Sequence, residues 1–218
     1  DFEGVRVVDR HTKQLLYNIE GLLSQAHHLK VYGDLLLLGM WDGYIQIHDI
    51  PSGGQCSRLV GHNYRVNCLD MSGNIVASAS SDKTVKLWNY PTSGLLGTLR
   101  GHSKMVNVVQ IASHQQSVLS ASKDGTIRLW KPHLGYSTAP RILTTNSPIN
   151  TMQYDGEHKI ISGGDDKLIR IWDIRLNDAD ANVISLEGHT GPVNTIHFDE
   201  YRILSGGSDK TIHLWDYR

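Results

Sequence analysis

An aspartate returns along this chain at a nearly constant interval. Asp42, Asp82, Asp124, Asp166 and Asp209 lie 40, 42, 42 and 43 residues apart. A period of that length belongs to architectures that stack one small supersecondary unit on the next, and it matches a blade of four short strands. The length of 218 residues would otherwise allow one large domain or two small ones. Periodicity therefore decides the architecture.

The surroundings of each Asp repeat as well. Ser81-Asp82-Lys83, Lys123-Asp124-Gly125, Asp165-Asp166-Lys167 and Ser208-Asp209-Lys210 read as tight turns, and Trp88, Trp130, Trp172 and Trp215 each stand six residues after the Asp. After Asp42 that place is taken by His48. A Gly-His pair opens three units, at Gly61-His62, Gly101-His102 and Gly188-His189; Leu22 and Thr145 hold the His place in the other two. The next segment carries apolar residues at offsets 0, +3 and +5: Val66, Leu69, Met71; Val106, Val109, Ile111; Val193, Ile196, Phe198; Ile149, Met152, Tyr154; Ala26, Leu29, Val31. A step of three inside a period-two strand predicts a bulge near one end of an innermost strand. Clean alternation then marks a third strand, as in Val85/Leu87 and Ile127/Leu129. The units are read as approximately 21–60, 61–100, 101–143, 144–187 and 188–218. Residues 1–20 supply the outer half of a preceding blade, with strands expected at Gly4 to Asp9 and Gln14 to Ile19.

Gly-His, Asp and Trp-Asp at this spacing in successive units resemble the WD-repeat family over nearly the whole chain. The resemblance implies an all-β propeller of four-stranded antiparallel blades around a central channel. Family rings usually have seven blades, so five repeats and a partial blade predict an incomplete ring. The resemblance also implies structural tetrads: His62, Ser78, Asp82, Trp88; His102, Ser120, Asp124, Trp130; His189, Ser205, Asp209, Trp215; and, without a His, Ser162, Asp166, Trp172. A Ser/His/Asp set invites a hydrolase reading, but a triad repeated in every good unit serves a structural need, and the chain is expected not to be an enzyme.

Composition narrows the remaining classes. A net charge of −1 gives no basic field for nucleic acid, and no apolar run approaches the length of a membrane span. Two cysteines, Cys56 and Cys68, are too few for a disulfide framework and point to an intracellular protein, cytoplasmic or nuclear. There is no Gly-rich phosphate loop, no His-Glu-x-x-His and no zinc-spaced Cys pair, so no cofactor or metal is expected.

That leaves other proteins or peptides as partners, docked where loops converge on the channel mouth. The expected rim comprises Trp41, Tyr64, Arg65, Lys104, Met105 and Lys123, with an Asn near the start of four inner strands: Asn67, Asn107, Asn150 and Asn194. These amides either serve an extended peptide backbone or bond neighbouring loops. Trp41 either anchors a partner or packs on its own blade. The compact units resemble the substrate-reading propellers of F-box ubiquitin-ligase subunits, although those that read phosphopeptides carry Arg where this chain has Asn. The Trp-Asp-x-Arg segments ending at Arg175 and Arg218 resemble boxes of cullin-RING ligase receptors, which implies a ligase adaptor as a further partner. An assembly scaffold in another multiprotein complex, in RNA processing, trafficking or signalling, is the alternative function, and a propeller enzyme a distant one.

Overall fold

In the computed structural model, residues 4–19, 24–112, 116–177 and 181–216 are described. They form one two-stranded sheet, four sheets of four strands and one of three. The small sheet pairs β1 (Val5–Val8) with β2 (Leu15–Ile19). The first full blade runs outward from the channel as β3 (Ala26–Tyr32), β4 (Leu35–Met40), β5 (Ile45–Asp49) and β6 (Gln55–Leu59). The second is β7 (Val66–Ser72), β8 (Ile75–Ser80), β9 (Val85–Asn89) and β10 (Gly94–Leu99). The third is β11 (Val106–Ala112), β12 (Ser117–Ser122), β13 (Thr126–Trp130) and β14 (Arg141–Thr144), with a short 3₁₀ turn at Pro132–Leu134. The fourth is β15 (Ile149–Tyr154), β16 (Lys159–Gly164), β17 (Ile169–Asp173) and β18 (Asn182–Leu186). The last has β19 (Val193–Phe198), β20 (Arg202–Gly207) and β21 (Ile212–Asp216). Every pairing is antiparallel, as sequential strands joined by tight turns require.

Burial explains the residue choices. A second strand is covered on both faces by adjacent blades, so β8 and β12 use small residues, Ala77, Ser78 and Ala79 or Ser120, Ala121 and Ser122, all buried. The outermost β18 is exposed along most of its length and is correspondingly irregular in composition. The core lies in the seams. Leu37, Ile45, Ile47 and Leu59 of the first blade pack on Val66, Leu69, Met71 and Trp88 of the second. Ala77, Val85 and Leu99 then pack on Val106, Val109 and Trp130, and the pattern continues around the arc.

The bulge indicated by the apolar spacing is present in all five inner strands. Pairing slips at His27, Asn67, Asn107, Asn150 and Asn194, the residue after the first apolar position. In the middle three the bulged Asn reaches across the seam. Asn67 Nδ2 donates to the carbonyl of Val106 (2.8 Å), Asn107 to Ile149 (2.8 Å) and Asn150 to Val193 (3.1 Å). Three residues further on, a second side chain closes the other end of the seam. Asp70, Gln110 and Gln153 accept the backbone N–H of Ile111 (2.8 Å), Tyr154 (2.7 Å) and Phe198 (3.0 Å). Between the first two blades Lys30 instead meets Asp70 as an ion pair at 2.8 Å.

A candidate binding rim above hydrogen-bonded tetrads

The loop entering each inner strand is tied to the turn that carries the repeated Asp. Backbone N–H groups of Trp41, Ser81, Lys123, Asp165 and Ser208 donate to the carbonyls of Gln25, Arg65, Met105, Pro148 and Pro192, at 2.8 to 3.0 Å. The residue after the Asp adopts left-handed backbone: Gly43 and Gly125, or Lys83, Lys167 and Lys210 with φ of 70°, 72° and 65°. At Gly43 more than conformational freedom is needed, because a Cβ would lie 2.5 Å from the carbonyl oxygen of His62. These bonds bring entering loop and Asp turn together as one rim.

Beneath the rim, the second, third and last blades hold the same network. His62 Nδ1 meets Asp82 Oδ2 at 2.7 Å, its Nε2 meets Ser78 Oγ at 2.7 Å, and Trp88 Nε1 donates to that oxygen at 2.8 Å. His102, Asp124, Ser120 and Trp130 repeat this at 2.8 Å for all three contacts. His189, Asp209, Ser205 and Trp215 do so at 2.9, 2.8 and 2.9 Å. The connectivity is that of a catalytic triad, but the chemistry is closed. Ser78 and Ser120 are 0% exposed, and each hydroxyl oxygen already accepts an indole N–H. Burial works to raise the Asp82 carboxyl, yet hydrogen bonds from His62 and Thr84 outweigh it and hold it far below the ordinary range. Asp124 behaves in the same way through His102 and Thr126. Burial lowers His102 despite its carboxylate partner. Trp indole, Ser hydroxyl, His ring and Asp thus satisfy one another and clamp the second and third strands, the turn between them and the entering loop.

The fourth blade is different. Trp172 Nε1 still donates to Ser162 Oγ at 2.8 Å, but no ring bridges Ser162 to Asp166. Asp166 turns to Arg170 Nη2 at 2.7 Å, so Asp166 is not joined to Ser162 and Trp172. Thr145, in the His place, hydrogen-bonds through Oγ1 to the carbonyls of Gly125 (3.0 Å) and Ser147 (2.5 Å). In the first blade, His48 Nε2 faces Gln46 Oε1 at 3.1 Å, and among the described residues its buried Nδ1 has no hydrogen-bond partner of good geometry. Leu22 lies outside the described residues.

The rim residues read from sequence are brought together unequally. Trp41, Tyr64 and Met105 are exposed at 49%, 64% and 36%, and Lys104 is exposed. The amides are mostly committed below them: Asn67, Asn107 and Asn150 spend donors on the next blade, and Asn194 donates to Ser208 Oγ at 2.8 Å. Lys123 is paired with Asp165 at 3.3 Å. Trp41 has its face under Arg65, whose Cζ lies 4.5 Å from the ring centroid, and its ring meets His27 edge-on at 5.8 Å. On the opposite face, Arg175 folds back on Asp173, with Nε–Oδ1 at 3.0 Å and Nη2–Oδ2 at 2.5 Å; Arg218 lies outside the described residues. The channel itself is a polar cleft of about 430 Å³ lined by His28, Lys30, Asp70, Gln110 and the four Asn. Burial pushes the Cys68 thiol there up to about 11, so it stays protonated. His189, Asp209 and His213 offer ligand atoms within 4.8 Å of one another, but both nitrogens of His189 are held in its tetrad.

Sequence reasoning missed Asp70, Gln110 and Gln153. A signal for them existed: the fourth residue after the first apolar position is polar in every unit, as Lys30, Asp70, Gln110, Gln153 and His197.

Blades of antiparallel strands sharing seams around a channel, with entering loop and Asp turn bonded at its mouth, define a β-propeller. The chain belongs to the WD-repeat family: the family model described as WD domain, G-beta repeat matches residues 53–89, 93–131, 139–173 and 181–216, more than half of the chain. Each match takes the outer strand of one blade and the inner three of the next. Among curated relatives, the pre-mRNA-processing factor 19 homolog 2 of Arabidopsis thaliana is 31% identical over 77% of this chain and 33% of its own length. The nuclear distribution protein nudF of Aspergillus niger is 31% identical over 71% of this chain and 35% of its own. The WD repeat-containing protein pop2 of Schizosaccharomyces pombe is 31% identical over 78% of this chain and 28% of its own. The chain thus spans about a third or less of these relatives. The crystal structure of the computationally designed Ika8 protein superposes with a TM-score of 0.85 at 28% identity, over 99% of this chain and 65% of that one. Among the described residues no helix is long and apolar enough to cross a membrane.

Proposed function

We propose that this chain is a non-enzymatic interaction scaffold that receives a peptide or loop of another protein on the rim around Trp41, Tyr64, Arg65, Lys104 and Met105, inside the cell. One observation carries the reading: exposed aromatic and thioether side chains from three successive blades sit on loops tied by backbone bonds at the Asp turns, with tetrads beneath Tyr64 and Met105. Such a rim presents apolar contact area beside polar groups at low entropic cost, the composition of an interface hot spot. A photo-crosslinking residue placed at Tyr64 or at Met105 is expected to yield partner adducts in cell extract, and the same residue at Lys131, on the opposite face, is not. Equal yields from both faces would remove the rim from consideration.

A second reading, a substrate receptor that docks a ubiquitin-ligase adaptor, is supported by the Trp172-Asp173-Ile174-Arg175 segment. Arg175 is exposed but its guanidinium is engaged by Asp173, so an adaptor would have to share or displace that pair. Loss of a cullin-linked companion on Arg175→Ala, with rim adducts retained, is the result this reading requires.

A further inference from the structure

Arg65 is a cation held in position with nothing to hold. Three constraints fix it. Its backbone carbonyl accepts the N–H of Ser81 at 2.9 Å, its Nε donates to Asn67 Oδ1 at 2.8 Å, and its guanidinium lies over the Trp41 ring at 4.5 Å. Asn67 is itself immobilised, because its Oδ1 also accepts from Ser81 Oγ (3.2 Å) and its Nδ2 is tied to the Val106 carbonyl across the seam. The half-buried side chain therefore spends Nε internally, while among the described residues neither Nη nitrogen has a hydrogen bond or an ion pair. Two other cations on this side of the molecule are paired: Lys30 with Asp70 and Lys123 with Asp165. Exposed Lys104, on the next blade's entering loop, adds positive charge without a fixed position.

A guanidinium with five donors matches an oxyanion through its parallel N–H groups, and stacking plus a bond at Nε removes the entropy that a free arginine would lose on binding. We infer that Arg65, stacked on Trp41 and steered by Asn67, is an oxyanion fork that recognises an acidic side chain, carboxylate or phosphate, of the segment docked on the rim. This rests on the rim reading of the proposed function and adds the ligand's chemistry to it. Trp41 then serves as the platform beneath the fork, with its face already covered, and Tyr64 flanks the docked segment.

The test uses the 218-residue chain and immobilised peptides with randomised flanks and a fixed central Glu, phosphoserine, Ser or Lys. Retention on Glu or phosphoserine peptides is expected to exceed that on Ser and Lys peptides by about tenfold or more, and the ratio between the two acidic sets tells carboxylate from phosphate. Arg65→Lys, which keeps the charge but loses the fork, is expected to erase the preference, and Trp41→Leu to weaken it severalfold, while Lys131→Ala leaves it unchanged. Melting curves that match the parent chain show that each variant is folded. No acidic preference in the parent chain, or a preference that survives Arg65→Lys, overturns the inference. Should the preference survive Arg65→Lys while Tyr64→Ala and Met105→Ala abolish retention, the rim stands and the fork falls. If acidic peptides are retained equally by the Tyr64→Ala and Met105→Ala variants yet lost by Arg65→Lys, the fork stands and the wider rim falls.

Discussion

Ser120 and Ser162 occupy equivalent places and carry different loads. Ser120 Oγ lies between His102 Nε2 and Trp130 Nε1, whereas among the described residues Ser162 Oγ receives only Trp172 Nε1. Ser120→Ala orphans two buried groups and is expected to cost about 2–3 kcal/mol, against about 1 kcal/mol for Ser162→Ala. Thermal melts of the two variants compare them directly, and equal losses would mean that the His contributes nothing. Titration adds a second residue-level expectation. Burial holds His102 and His48 below the usual histidine value. As pH falls below about 6.5, the unfolded chain takes up protons that these folded rings resist, so stability is full above that pH and declines beneath it. The Asp82 and Asp124 carboxyls, held low by their partners, extend the decline: their contribution is present above about pH 3.9 and fades as pH falls further. Melting temperature measured from pH 7.5 to 3 should fall monotonically; a plateau between pH 6.5 and 4.5 would contradict the histidine part. The complete tetrads could be expected from sequence because Ser, Asp and Trp recur four and six residues apart, with a His 20 or 22 residues before each Asp, the pattern by which the chain resembles the WD-repeat family. The destination of Asn67 was not, since its acceptor, Val106, lies 39 residues away and is set by the register of the next blade.

At the level of the blade, the two atypical units depart from the tetrad in different ways. In the fourth, Thr145 binds the Gly125 carbonyl of the preceding turn, and Asp166 and Arg170 form their own ion pair. The first blade holds a buried His48 in the Trp place, whose Nδ1 lacks a hydrogen-bond partner among the described residues. Amides of β4 and β5 are therefore expected to exchange with deuterium faster than those of β8 and β9 or β12 and β13, with β16 and β17 in between. Uniform protection across the blades would show that the tetrads do not set local stability. The strands were legible because apolar spacing alternates, and the inner-strand bulges because a step of three interrupts that alternation. Where strands stop was less so: Gly4 to Asp9 and Gln14 to Ile19 contract to Val5–Val8 and Leu15–Ile19. The turn at Lys13, with φ of 60°, takes up the difference, and nothing in a lysine announces left-handed backbone.

Across the whole molecule, the substantial contacts between blades among the described residues join neighbours, so cooperativity passes through the seams. The seam between the third and fourth blades has an apolar body, Leu119, Ile127 and Leu143 against Ile149 and Met152, and polar bonds at both ends from Asn107 and Gln110. Replacing both by Ala leaves the Ile149 carbonyl and the Tyr154 N–H without these partners. The double variant is expected to lose about 2–4 kcal/mol and to unfold in denaturant over a broader range, as the arc separates into two partly independent pieces. A transition as steep as the parent's would place the coupling wholly in the apolar contacts.

The seam bonds also have a direction. In each of these three seams the side chains belong to the earlier blade and the backbone groups to the later one. A unit of this kind carries a plug on one side and a socket on the other, and the socket is main chain, present whatever the side chains are. A tandem duplication inserted in the middle of the array would therefore arrive already mated on both sides, with no compensating substitution. Gene lineages built on such units can lengthen or shorten by whole repeats while every junction stays closed, and the place least tolerant of an insertion is the junction where Lys30 and Asp70 have replaced the generic clasp with a matched pair of charges.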